Sequence, residues 1–135
     1  MTTRFTEDRD SGAGEVALAF LTELERWVAV DLSGSAPVLR AALLGWLRAA
    51  QAAQPTMALV HQLAARALAV VDAGVTRGEP PAGLRAALAQ SCAAERDDLV
   101  AARKALARQA AALVTERGAW IATLSSSGAV REAVL

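Results

Sequence analysis

The residues best suited to chemistry lie near the end of the chain. Ser125-Ser126-Ser127-Gly128 follows a short apolar run, Ala119-Trp120-Ile121-Ala122-Thr123-Leu124, and precedes Ala129-Val130-Arg131-Glu132-Ala133-Val134-Leu135. Read as strand, turn and helix start, this order can hold an anion. The first turn of a helix carries unpaired N–H groups, its dipole favours negative charge, and small residues let a phosphate approach the backbone. Serine hydroxyls would add donors. The same residues would also serve as a plain cap, with Ser126 or Ser127 at the helix start and Gly128 easing the turn. No lysine follows the serines, so the complete phosphate-binding loop signature is absent.

Other reactive side chains are scattered. His61 falls beside a helical stripe, with no second histidine or carboxylate cluster near it in sequence, and fits a structural or surface role. Cys92 is the only cysteine, so no internal disulfide can form, and it fits a small buried hydrophobe in a reducing compartment. No metal-ligand spacing is present, and no cofactor motif. Glu95-Arg96-Asp97-Asp98 and Arg103-Lys104 read as a solvated, ion-paired helix face, with Glu95 on the inner stripe at a rim.

The elements that must position these residues are helical. Ser11 offers a cap to a first helix over 12–30, with Val16, Ala17, Phe20, Leu21, Leu24, Trp27 and Val28 on its inner stripe. Ser35 and Pro37 open a second, striped by Leu39, Ala42, Leu43, Trp46, Leu47 and Ala50 and ending near Ala53, before Pro55. Thr56 caps a third, whose inner face is Met57, Val60, Ala64, Ala67, Leu68 and Val71, with Gly74 as its stop. A fourth runs over 82–117 without an internal proline, on the stripe Leu84, Leu88, Cys92, Glu95, Leu99, Ala102, Leu106, Ala110 and Leu113, and Gly118 closes it. Trp27 and Trp46 are core candidates, and Trp120 would cover the junction of bundle and sheet.

The fold class expected is mainly α: an antiparallel helical bundle with a long fourth helix, ending in the first strand–turn–helix of a truncated Rossmann-like domain. Residues 1–10 are expected to be a flexible arm, 11–117 the bundle, and 118–135 the start of the second domain. The chain has 135 residues, 54% of them hydrophobic, so one sizeable core can be buried. About a quarter of the chain is alanine, which favours close-packed helices. Fourteen basic residues balance fourteen acidic ones, unlike the basic footprint of a nucleic-acid binder. The polar N-terminus lacks a signal-peptide core, and the apolar runs are broken by Glu25, Arg40, His61, Arg66 and Asp72 before reaching the roughly 20 residues of a membrane span. A cytoplasmic protein with no nucleic-acid or membrane partner is expected.

Three segments carry a family resemblance: Gln54-Pro55-Thr56-Met57-Ala58-Leu59-Val60, the long helix 82–117, and Gly118 through Val130. Together they resemble the alpha, beta and delta subunits of translation initiation factor 2B, a family shared with methylthioribose-1-phosphate isomerase and ribose-1,5-bisphosphate isomerase. Ser11-Gly12-Ala13-Gly14-Glu15-Val16-Ala17 is similar to the Gly-Ala segment at the start of that family's first helix. The resemblance implies a helical domain joined by a long helix to a Rossmann-like domain. It implies a phosphorylated sugar or nucleotide in the cleft, held by Ser11, Gly12, Ala13, Ser125, Ser126, Ser127 and Gly128. It also implies a homo-oligomer, or a partner subunit or further domain completing the site.

Three departures bear on activity. The isomerases carry a catalytic cysteine where this chain has Ser125, and serine is a far weaker acid. Ser11 stands where they place an arginine before the Gly-Ala pair, and Gln54 replaces the arginine before Pro-Thr. The expectation is therefore a binding and regulatory role and no catalytic residue. The alternatives are a fragment of a sugar-phosphate aldose–ketose isomerase and a helical protein-interaction module.

Overall fold

A computed structural model describes residues 1–8, 11–30 and 34–113. They form five helices in chain order: α1 (Thr3–Glu7), α2 (Ala13–Ala29), α3 (Ala36–Ala53), α4 (Ala58–Thr76) and α5 (Pro81–Leu113). The protein is mainly α, and no strand occurs among the described residues. The expected strand 119–124, the serine turn and the final helix lie outside the described residues, as do Gly118 and Trp120.

Helical spacing decides the inner faces. On α2, Val16, Ala17, Phe20, Leu21, Leu24 and Val28 are buried, as their 3–4 residue recurrence predicts. On α3 the buried row is Leu39, Leu43, Leu47 and Ala50; Ala42 is exposed and Trp46 half-buried. On α4 it is Val60, Leu63, Ala64, Ala67 and Val71, so Leu63 joins the stripe and Leu68 and Met57 sit at its margin. α5 packs on α2 and α4, α4 also on α3 and α2, and α1 lies on α2 and α3. An aromatic seam crosses the bundle: Phe5 to Phe20 at 6.3 Å, Phe20 to Trp46 at 5.6 Å and Trp46 to Trp27 at 6.3 Å between ring centroids, all tilted.

Three arginine–carboxylate bridges tie neighbouring helices at the rim. Arg40 of α3 donates to Asp72 of α4, Arg66 of α4 to Glu95 of α5 at 2.7 Å, and Arg96 of α5 to Glu25 of α2 at 2.7 Å. Each exposed pair adds little energy, but the planar guanidinium fixes which helix faces meet.

The helix ends depart from the sequence expectations in four places. The first eight residues are not an arm: α1 packs onto the bundle because Phe5, 2% exposed, enters the core. The cap of α2 is Gly12, one residue later than Ser11. Met57 precedes α4 in place of Thr56, and Gly74 does not stop that helix. The stop is Gly78, in the left-handed region at φ 75°, with its N–H donating to Val75 O and that of Glu79 to Gly74 O, both at 3.0 Å. That is the paired bonding of a Schellman end, which needs glycine at the left-handed position.

Along α5 the predicted stripe holds for Leu84, Leu88 and Cys92 and then turns away. Glu95 lies at the rim, Leu99 is half-buried, Ala102 is exposed and Leu106 is 56% exposed. The helix has 33 residues, about 50 Å at 1.5 Å per residue, against about 28 Å for α4. It is longer than the helices it packs on, and in its later turns Leu99 still packs against the core and Ala107 is buried, off the predicted stripe. α4 alone among the described helices is long and apolar enough, by composition, to cross a membrane. Its inner face packs on α2, α3 and α5.

Candidate functional site

Of the residues expected to hold a phosphate, Ser11, Gly12 and Ala13 lie at the start of α2. Ser125, Ser126, Ser127 and Gly128 lie outside the described residues. The start of α2 is where a helix presents free N–H groups, and two carboxylates take the N–H groups of the two residues that lead into it. The Ser11 N–H donates to Asp8 Oδ1 at 2.9 Å, and the Gly12 N–H to Glu15 Oε2 at 3.1 Å. The second bond is half of a capping box; glycine has no side chain to return the other half.

Asp8 also draws a distant segment into the site. Gln54, at the end of α3, is 2% exposed. Its amide donates to Phe5 O at 2.7 Å and to Asp8 O at 3.0 Å. The Ser11-Gly12-Ala13 segment and the Gln54-Pro55-Thr56 turn therefore meet through Asp8, although more than forty positions separate them. Where an arginine would carry charge, Gln54 supplies two neutral donors to main-chain carbonyls and ties α1 down. Nothing in the sequence pattern marks this role, since a glutamine's partners are set only once three elements are packed.

An open groove of about 430 Å³ runs along this seam, lined by Thr2 and Phe5 from the N-terminal segment, Asp8, Ser11, and Glu15 and Glu23 of α2, among others. Glu23 is 7% exposed. It accepts from the Thr2 N–H at 2.9 Å and the Thr2 hydroxyl at 2.8 Å, and from Arg26 Nη1 at 2.9 Å. Burial pushes its carboxyl up. The two bonds from Thr2, with the charges of Arg26 and the terminal ammonium, outweigh burial and hold it below the ordinary carboxylate value. Neither Asp8 nor Glu23 belongs to an apolar stripe, and the periodicity that located the helices passed over both.

The remaining candidates are structural. His61 Nε2 lies 3.2 Å from Pro55 O. Cys92 is 2% exposed, and burial, with Glu25 nearby, pushes its thiol up to about 11, which suits packing and not nucleophilic attack. Glu95 accepts both short bonds from Arg66 Nη1, which gives the acid at the rim of the inner stripe its partner. Among the described residues no group of three or more His, Cys, Asp or Glu side chains is placed to hold a metal ion.

The fold and site define a helical bundle with a polar groove beside an acid-capped helix start. Comparison with models of protein families, with curated proteins and with solved structures finds no match.

Proposed function

We propose that this chain is the helical N-terminal domain of a protein of the initiation-factor-2B alpha/beta/delta kind, with a binding and regulatory role. In this reading the start of α2 and the Gln54 turn form one wall of a cleft for a phosphorylated sugar or nucleotide. A Rossmann-like domain beginning in 118–135, or a partner subunit, supplies the other wall, and the protein works as a homo-oligomer in the cytoplasm.

The observation that carries the proposal is the meeting of the two family-like segments at Asp8. A ligand phosphate must displace the Asp8 carboxylate from the Ser11 N–H, because two anions cannot share one donor at contact distance. The α2 start is then a weak phosphate grip in its resting form, which suits regulation by changing metabolite levels. A helical interaction module is the second reading, favoured by those same carboxylates, since they take the Ser11 and Gly12 N–H groups without any ligand.

The test is a titration of the full chain with ribose 1,5-bisphosphate and with AMP, followed at the Ser11 and Gly12 amide resonances. The cleft reading expects both to move, and the Asp8→Asn variant to bind about tenfold tighter, because removing one like charge at close range is worth roughly 1.4 kcal/mol at intermediate dielectric. Unmoved resonances in wild type and Asp8→Asn alike would leave the interaction module.

A further inference from the structure

We infer that α1 is a strap: a separately opening element that closes the groove and the α2 start and that Gln54 fastens. Its meaning as a gate rests on the proposed cleft; its existence as a separately opening unit does not.

Five residues are too few for a helix to hold itself, because the cost of the first turn is not repaid over so short a length. α1 (Thr3–Glu7) therefore depends wholly on what it touches. Three attachments stand out among the described side chains. Phe5 enters the core against Phe20. Thr2 places its N–H and hydroxyl on the Glu23 carboxylate. Gln54 Nε2 bridges Phe5 O and Asp8 O, and so satisfies carbonyls at the end of α1 that the short helix leaves over.

The seam between α1 and α2 is incompletely filled. The groove of about 430 Å³ lies along it, with Thr2, Phe5 and Asp8 on one side and Ser11, Glu15, Ala19, Thr22, Glu23 and Arg26 of the α2 segment on the other. The bundle proper needs no help from α1 to close, since α2, α4 and α5 pack on one another and α3 on α4. An element whose described hold is one apolar anchor and a few polar bonds, with an open groove at its side, opens before the rest. When it opens, Asp8 leaves the Ser11 N–H, and the groove loses a wall.

The test is amide hydrogen exchange on the full chain at several low urea concentrations. The amides of Phe5 and Thr6, bonded to Thr2 O at 3.1 and 3.2 Å, are expected to exchange at least about thirtyfold faster than those of Leu43 and Leu47. Their rates should scarcely change with urea, while the α3 rates climb, as small and global openings respectively do. In the Phe5→Ala/Gln54→Leu double variant, α1 protection should vanish while Leu43 and Leu47 stay protected. A shared rate and urea dependence for α1 and α3 overturns the strap, and so does a double variant whose α3 protection is lost along with α1. Inorganic phosphate, added in both backgrounds, separates the two ideas. If α1 opens independently but Ser11 and Gly12 resonances stay unmoved in both, the strap stands and the cleft falls. If they move, and at about tenfold lower phosphate in the double variant, strap and cleft both stand.

Discussion

Gly74 of α4 and Leu84 of α5 are packed so closely that a Cβ on Gly74 would overlap Leu84 Cδ2 and stand 3.0 Å from Glu79 Oε2. The glycine is buried inside the last turns of α4, three residues before the cap at Arg77. Its missing side chain leaves the room that Leu84 fills from the helix beyond the short 77–80 connection, and the chain is turned by a different glycine, Gly78.

The two glycines should therefore fail differently when each is changed to alanine. Gly74→Ala forces Leu84 out of its site, and overpacking of this kind costs about 1–3 kcal/mol. Gly78→Ala meets open space but keeps φ at 75°, at a cost of about 1 kcal/mol. Urea denaturation of the two variants should rank Gly74→Ala as the less stable. Equal midpoints would show that Leu84 relaxes freely.

Glu23 should make the fold acid-sensitive. Its folded pKa lies below its ordinary value, so its contribution is fully present above about pH 4.5 and is lost as pH falls through the lower, folded value. Wild type and Glu23→Gln, compared by urea midpoint from pH 7 to pH 3, should differ most at pH 7 and converge in acid. A gap that stays constant across that range would assign the effect to packing and not to charge.

Cys92 should be inert in the folded protein. A thiol pushed up to about 11 is ionised in roughly one molecule per thousand at pH 8, and it is also covered. Iodoacetamide labelling at pH 8 should be slow and should accelerate with urea in step with unfolding, read by mass spectrometry. Fast labelling without urea would contradict the buried position.

Arg96 is expected to act as a tie between α5 and α2. It donates to both carboxylate oxygens of Glu25 and, at 3.1 Å, to the hydroxyl of Thr22. A double-mutant cycle of Arg96→Met with Glu25→Gln should show a coupling below about 1 kcal/mol, shrinking further in 0.5 M salt, because both groups are about one-third exposed. A zero coupling at low salt would mean that this pair adds nothing to the hold on α5 that its apolar contacts and the Arg66–Glu95 bridge supply.

The number and order of α2 to α5, the inner faces of α2 to α4, and that of α5 as far as Cys92 were legible in the residues, because burying an apolar stripe every three to four positions is a local requirement that a sequence states directly. Pro37 and Pro55 marked helix boundaries for the same reason: a fixed φ and a missing N–H act where they stand. The candidate site was legible only as the segment Ser11-Gly12-Ala13. That Asp8 and Glu15 take the Ser11 and Gly12 N–H groups, that Gln54 reaches across to Asp8, and that Phe5 turns an expected arm into part of the core were decided by tertiary structure. So were the turning point of α4 at Gly78 and the departure of α5 from its stripe after Cys92. In each case the deciding partner lies far away in sequence or on another helix, and a hydrogen-bond acceptor, a close approach or a facing apolar row exists only after the helices have met.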